Sequence, residues 1–363
     1  MELKKILVGM SGGVDSSAAA LILKQKGYEV DGCTLKLFDG DNFTREMEES
    51  PDVRTCCSVT DVMDAKSVCR KLGIEHYVFN FKDLFREKVM DAFAESYING
   101  ETPNPCINCN RYIKFDKMLA RAQELGYDGI ATGHYARSVY DEASGRYLLK
   151  KAADERKDQT YVLYNMTQEQ LARTLFPLWD MDKPEIRALA EANGLVNARK
   201  PDSQDICFVP DGDYASFIEQ HTGKTFPQGD FIGTDGVKMG THSGYIHYTI
   251  GQRKGLGAAF GKPVFVCGKD PVLNTVTLGE SSDLMSDIVE ADDINLISVP
   301  EIKGEMRVTA KIRYNMQAVS GVLTAVGDSR LRVKFDAPVR AAAKGQALVI
   351  YDGDTVVGGG KII

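Results

Sequence analysis

The chain has no apolar run of membrane-spanning length, so no helix of it is expected to cross a bilayer. It lacks the layout of a signal peptide, because Met1-Glu2-Leu3-Lys4-Lys5 leads straight into the strand-like Ile6-Leu7-Val8. Cysteine is scarce. There are eight in 363 residues (Cys33, Cys56, Cys57, Cys69, Cys106, Cys109, Cys207 and Cys267), too few for a disulfide scaffold of this size. These absences predict a soluble protein of the reducing cytoplasm, in which any special cysteine does redox, metal or nucleophile chemistry. Excess positive charge is missing too. A net charge of −7 argues weakly against a polyanionic partner, and the distribution weakens the objection further. From Arg307 to Lys344, eight basic residues (Arg307, Lys311, Arg313, Arg330, Arg332, Lys334, Arg340, Lys344) are opposed only by Asp328 and Asp336. Charge alone leaves two readings of that segment: a footprint for a polyanion, or a solvated β-surface. No convincing internal repeat or low-complexity segment is present.

The length suggests two or three domains. Over the first 200 residues, strand patterns (29–38, 74–81, 129–131) alternate with helix patterns (60–72, 82–97, 115–125). Such alternation predicts a parallel sheet covered by helices on both faces. Ligands then collect at the carboxyl ends of the strands. Near Pro210 the grammar changes. Glycines become frequent, and Gly244–Ile250 and Pro263–Val266 read as strand pieces of a small β-rich unit. From about Asp293 a period of two with intervening turns predicts five or so short strands (306–314, 319–326, 331–335, 347–351, 356–361), the pattern of a small β-barrel. The expected organisation is an α/β parallel-sheet domain over 1–209, a central β-rich domain over 210–285 and a C-terminal barrel over 286–363.

The most informative stretch is Gly9-Met10-Ser11-Gly12-Gly13-Val14-Asp15-Ser16-Ser17. It follows an apolar strand and precedes the helix formers Ala18 to Lys24. Gly12 and Gly13 allow a tight bend and a close backbone approach to a ligand. Exposed N–H groups and the helix dipole then favour an anion such as phosphate. Asp15 makes sense beside phosphate when a cation such as Mg²⁺ sits between them. There is no Gly-Lys-Ser/Thr ending and no G-x-G-x-x-G, which excludes a Walker A loop and a dinucleotide fingerprint. The string resembles the SGGxDS loop of ATP pyrophosphatases.

Two cysteine segments stand out. Thr102-Pro-Asn-Pro-Cys106-Ile-Asn-Cys109-Asn-Arg111 has an extended, proline-set approach leading toward a helix. A thiol near a helix N-terminus and close to Arg111 should have more thiolate character. The second is Lys200-Pro-Asp-Ser-Gln-Asp-Ile-Cys207-Phe-Val. A lone Cys207 reads equally well as a small buried hydrophobe.

Together the strings GMSGGVDSS (9–17), TPNPCINCNRYIKF (102–115), ATGHYAR (131–137), KDQTYVLY (157–164), KPDSQDICFVP (200–210), YTIGQRKGLG (248–257), KIRYN (311–315) and KGQALVIY (344–351) resemble the bacterial tRNA-specific 2-thiouridylases, in family order and over nearly the whole chain. These enzymes thiolate the wobble uridine 34 of certain tRNAs. The resemblance implies ATP held by Gly9, Met10, Ser11, Gly12, Gly13, Val14, Asp15 and Ser16, with Leu35 and Gly133, and adenylation of the uridine C2 oxygen. It implies a persulfide on Cys207, and Cys109 as its resolving partner through a transient Cys109–Cys207 disulfide. It also implies contacts to the target base or tRNA from Asn104, Pro105, Cys106, His134, Lys157, Asp158, Gln159, Arg313, Tyr314 and Gln346. The partners implied are the anticodon region of tRNA and a persulfide donor, such as a cysteine desulfurase or a sulfur-relay protein.

One departure matters. Many members of the family carry Asp where this chain has Cys106, so a carboxylate base is lost there. Cys106, Cys109 and Cys207 could instead ligate a [4Fe–4S] cluster or zinc. Persulfide chemistry is favoured over a cluster route, because the Cys109–Cys207 pair suffices for it. The competing readings are an RNA-binding protein without catalysis and a different ATP pyrophosphatase. The first needs no thiol pair, and the second does not call for the basic barrel.

Overall fold

A computed structural model describes residues 3–38, 59–201, 206–257, 260–327 and 329–363. Cys56, Cys57, Asp328 and positions 202–205 of the second cysteine segment lie outside the described residues.

The first strands are β1 (Lys5–Gly9), β2 (Glu29–Lys36), β3 (His76–Asn80) and β4 (Gly129–Ala131). With the short β7 (Thr174–Leu175) they form a five-stranded sheet of order β3-β2-β1-β4-β7, every pair parallel. β1 is central, and Ile6, Leu7 and Val8 are buried in succession, as a strand covered on both faces requires. α1 (Val14–Gln25) buries nine of its twelve residues and packs against α8 (Lys183–Ala192). α2 (Val59–Leu72) covers the sheet beside it.

From β1 the chain crosses to β2 on one side, and β4 lies on the other. The order therefore reverses between β1 and β4, and the loops after those two strands open a crevice at the carboxyl edge.

Two helical runs follow β3. The first is α3 (Lys82–Phe85), a π segment (Arg86–Asp91) and α4 (Ala92–Ile98); the second is α5 (Pro105–Asn108), a π segment (Cys109–Lys117) and α6 (Met118–Glu124). The second run begins ten residues before the helix expected at Phe115. Asn104 caps it by accepting from the Cys106 N–H, and Pro105 occupies the first helical position, where its missing N–H is harmless.

The central unit contains α9 (Tyr214–Thr222) and a sheet of order β10-β11-β8-β9, built from β8 (Gly229–Gly233), β9 (Lys238–His242), β10 (Phe265–Asp270) and β11 (Thr275–Gly279). Gly244–Ile250 is not a strand here. A 3₁₀ turn runs through Tyr245–His247, and Tyr245 and Ile246 are both buried, which the alternation of a strand facing solvent on one side does not allow.

The C-terminal barrel closes six strands: β12 (Met285–Leu296), β13 (Met306–Lys311), β14 (Val319–Val326), β15 (Arg330–Arg340), β16 (Ala347–Asp352) and β17 (Thr355–Ile362), with β12 pairing β17 to complete the ring. A hairpin of β5 (Ala136–Asp141) and β6 (Arg146–Lys151), not foreseen from sequence, extends this sheet through Thr355 opposite Lys150. One core cluster accordingly mixes Leu7, Phe115 and Ile130 with Val349, Tyr351 and Val356 of the barrel. No helix of the described residues is long and apolar enough to cross a membrane.

Candidate functional site

The crevice between β1 and β4 is a cavity of about 510 Å³. Its floor is the glycine loop. Met10 donates its N–H to the Cys33 carbonyl (2.7 Å), and Thr34 Oγ1 donates to the Met10 carbonyl (3.0 Å), which ties the loop to β2. Gly12 is left-handed (φ +73°), and a Cβ there would stand 2.5 Å from the Asp61 carbonyl oxygen, so only glycine fits.

Asn197 Nδ2 donates to the Gly12 carbonyl (2.9 Å) and the Gly13 carbonyl (3.2 Å), and the Ser16 and Ser17 hydroxyls both donate to the Gly13 carbonyl (3.1 Å each). The carbonyls of the turn are thus held from behind. The first-turn N–H groups of α1, which lack intrahelical acceptors, are left toward the cavity. Gly9, Met10, Ser11, Gly13, Val14, Asp15 and Ser16 line it, whereas Gly12 supports it from outside. On the facing wall Gly133 packs so closely that a Cβ would stand 2.7 Å from the Ser16 nitrogen.

Asp15 is engaged by a cation from the protein itself. Lys183 Nζ lies 2.8 Å from each carboxylate oxygen, and Tyr135 donates its hydroxyl to Oδ1 (2.9 Å). Lys200 makes a second cluster, donating to Asp61 (2.6 Å), Asp64 (2.7 Å) and the Gly12 carbonyl (3.3 Å). Those two bonds to carboxylates raise the Lys200 ammonium above its usual range despite opposing burial. Four lysines (114, 157, 183 and 200) line the cavity against two aspartates, so its net character is cationic. Leu35, Leu37 and Met118 add an apolar wall. The arrangement suits a ligand with a polyanionic end and a flat apolar end.

His134 also lines the cavity, its Nδ1 2.8 Å from Thr132 Oγ1 and its ring against Phe115 and Phe176. Burial, then the charge of Lys114, holds its pKa well below the ordinary value, so the ring is neutral.

The cysteines lie in different surroundings. Cys109 is buried among Phe85, Phe93, Phe208 and Phe217, and Cys207 packs on the same cluster, so the fold brings both thiols to one aromatic core. Cys109 is not at the first turn of its helix, because the run starts at Pro105, and the Arg111 fork is turned to both oxygens of Asp293. Both features expected to act on this thiol are therefore displaced. Cys106 is exposed and close enough to Tyr314 to act on it electrostatically. The six cysteines described are reduced thiols. Among the described residues no three His, Cys, Asp or Glu side chains gather to hold a metal.

Of the remaining candidates, Lys157, Gln159 and Tyr314 line the cavity. Gln159 is fixed by two bonds to Tyr135: its Oε1 accepts from that residue's N–H (2.9 Å), and its N–H donates to that residue's carbonyl (3.0 Å). Gln346 Oε1 accepts from the Tyr161 hydroxyl (3.3 Å), and the Tyr161 ring meets Tyr314 edge-on. Asn104 is a helix cap, Pro105 is buried and Arg313 is exposed. Asp158 points inward, where its carboxylate accepts from Thr160 and from backbone. The basic barrel is not a uniform stripe: Arg307 pairs with Asp336, Arg332 with Glu290, and Arg340 stacks on Phe265.

Three family models cover the chain: a tRNA methyl transferase HUP domain over residues 4–211, a tRNA methyl transferase PRC-barrel domain over 215–280 and an aminomethyltransferase beta-barrel domain over 286–362. The tRNA-specific 2-thiouridylase MnmA of Acetivibrio thermocellus is 51% identical over 363 residues, covering 100% of both chains. Its counterpart from Clostridioides difficile is 49% identical over 359 residues, covering 99% of this chain and 98% of that one. The chain belongs to the tRNA-specific 2-thiouridylase family.

Within this family member, the cavity contains residues that sequence reasoning missed: Asp61, Lys114, Tyr135, Lys183 and Lys200. Lys183 had one local signal. It opens α8 behind a capping box of Asp182 and Glu185, which marks a helix start but not what that start faces.

Proposed function

We propose that this protein is an ATP-dependent tRNA sulfurtransferase that converts uridine 34 to 2-thiouridine. What carries the reading is that the helical run bearing Cys109 also supplies Lys114 to the nucleotide cavity. A thiol and an ATP-activation site thereby share one element. ATP lies with its adenine against Leu35, Leu37 and Met118, and its phosphates on the N–H groups of residues 13–16, near Lys183 and Lys200. Asp15 and Asp61 are oxygen donors on the cavity lining, each paired with a lysine, and would hold a Mg²⁺ ion, which would neutralise phosphate charge when bound, on yielding Lys183 and Lys200 to the phosphates. Tyr135 and Lys183 orient Asp15.

The uridine leaves the anticodon stack to reach the cavity, past Lys157, Gln159 and Tyr314. Its C2 oxygen attacks the α-phosphate, and pyrophosphate departs. Neutral His134 can donate one hydrogen bond to the activated base. A persulfide on Cys207, delivered by a sulfur-carrying protein such as a cysteine desulfurase, attacks C2 through its terminal sulfur. A C–S bond forms, the C–O bond breaks and AMP leaves with the electron pair. The Cys109 thiolate then attacks Cys207 Sγ, breaking the bond to the nucleobase sulfur. This frees 2-thiouridine and leaves a Cys109–Cys207 disulfide, which a dithiol reductant returns to two thiols. Cys106, exposed and near Tyr314, would meet the tRNA with Asn104 and Pro105 beside it, and Arg313 and Gln346 would extend that contact onto the barrel.

The test supplies ATP, a cysteine desulfurase, labelled cysteine and tRNA bearing U34. The expected result is labelled 2-thiouridine in the nuclease digest, with one pyrophosphate and one AMP per sulfur. Pyrophosphate release with no sulfur in the tRNA would overturn the proposal.

A further inference from the structure

The segment Lys157–Tyr164 touches three parts of the molecule at once. Lys157 and Gln159 face the cavity. Thr160 and Tyr161 are wholly buried and reach barrel strand β16: Thr160 Oγ1 is 3.3 Å from Tyr351 Oη, and the Tyr161 hydroxyl donates to the Ala347 carbonyl (2.9 Å). The Val162 carbonyl accepts from Asn110 Nδ2 (2.9 Å), the residue next to Cys109. Asp158 sits at the centre with 5% exposure. Its Oδ2 accepts from Thr160 Oγ1 (2.6 Å), and its Oδ1 accepts from the Ala152 N–H (3.3 Å) and the Thr160 N–H (3.4 Å).

We infer that Asp158 is a positioning residue that locks this segment to the barrel, and that its carboxylate does not touch RNA. Its oxygens are spent on Thr160 and backbone, and Thr160 continues the chain to Tyr351. Strand β13, which pairs with β16 through Thr309 and Tyr351, ends at Lys311 and leads directly to Tyr314 on the cavity wall. The joint therefore sets the distance between Lys157 and Gln159 on one side and Tyr314 on the other. Burial holds the Asp158 carboxyl above its ordinary range, ahead of the opposing Thr160 bonds and the charge of Lys311. A neutral amide of the same shape should thus serve: its Nδ2 donates to Thr160 Oγ1, whose proton turns to Tyr351.

The activity arm of the test rests on the thiolation reading; amide hydrogen exchange of residues 157–164 and 347–351 does not. Asp158→Ala and Tyr351→Phe are each expected to raise the tRNA KM, the first by about tenfold, with the ATP KM little changed. Both should speed exchange in the two segments. Asp158→Asn should stay near wild type in both readouts, and the Asp158→Ala/Tyr351→Phe double variant should be no worse than Asp158→Ala alone, because both break one network. Tyr351→Phe removes a single hydroxyl, so it remains informative if Asp158→Ala does not fold. An Asp158→Asn variant as impaired as Asp158→Ala would overturn the inference, as would unchanged exchange at 157–164 in Tyr351→Phe. If wild type does not thiolate tRNA, the exchange data still decide the positioning role.

Discussion

The nucleotide cavity and the cysteine region of this protein are built from opposite materials. The nucleotide cavity is polar and assembled in advance: carbonyls held by Asn197 and serines, Asp15 clasped by Lys183, Asp61 by Lys200. The cysteine region is apolar, with Cys109 and Cys207 on a cluster of phenylalanines. Each suits its step. Phosphate chemistry needs fixed charges and dipoles aimed at developing charge. In the proposed route an adenylated base needs protection from water, which would hydrolyse it, and a persulfide needs protection from stray thiols, which would take its outer sulfur. The sulfur step therefore gains from a dry setting that would disfavour the first.

The sharpest way to break the comparison is to remove one centre and measure the other. Cys207→Ser and Cys109→Ser should lose thiolation entirely while keeping ATP-dependent pyrophosphate release. Sulfur-labelled protein should be recovered from Cys109→Ser but not from Cys207→Ser. Pyrophosphate release that fell together with thiolation would show that the centres are not separable.

Asp15→Ala attacks the other side. Adenylation should fall by roughly 10²–10³-fold, as for loss of a preorganised charge, while tRNA binding by filter retention stays unchanged. Gly133→Ala should act in the same direction for a steric reason. Its Cβ would meet the Ser16 nitrogen at 2.7 Å and the Asp15 carbonyl carbon at 2.8 Å, pushing the α1 N-terminus back. Overpacking of this kind costs about 1–3 kcal/mol, readable as a lower melting temperature together with a higher ATP KM.

Cys106→Ser should have a small effect, retaining appreciable thiolation, because the proposed route uses Cys207 as nucleophile and Cys109 as resolver and leaves the exposed Cys106 aside. Loss of iron and activity together in that variant would revive the cluster route.

The smallest effect concerns pH. His134 is held neutral below its ordinary value of 6.5. An unfolded chain binds a proton there that the folded chain refuses, so stability is intact above about pH 6.5 and falls as the pH drops toward the depressed folded value. His134→Gln should lose part of that acid destabilisation between pH 7.5 and 5.5 in thermal melts, and equal slopes for mutant and wild type would refute the assignment.

How legible each feature was in the sequence depended on range. The glycine loop could be read because its parts are contiguous: a buried strand, a left-handed glycine and a helix start within nine residues. The helix start was placed near Cys109 rather than at Pro105, although Asn104-Pro105 is a cap followed by a first-position proline, because two prolines also fit an extended segment. The pairing of hairpin Ala136–Lys151 is local, but its attachment to the barrel sheet could not be read, because the strand it joins lies some 200 residues away. Asp158 was expected to contact tRNA through the family resemblance of 157–159, and its burial was not legible locally because it depends on packing against distant segments.

By itself the sequence determined the chemistry that local strings can carry. It specified an anion-binding turn at 9–17, two thiols in distinct segments, a parallel sheet followed by β units, and a family likeness spread along the chain. Only the tertiary structure decided that Lys183, 168 residues from Asp15, supplies its counter-charge. Tertiary structure also decided that Cys109 and Cys207 share one aromatic core and that the turn after barrel strand β13 closes the cavity wall with Tyr314. The reason is physical. Turn and helix-cap preferences act over a few residues and are written locally. Ion pairs and buried contacts between distant segments exist only once the hydrophobic cores have fixed which faces meet.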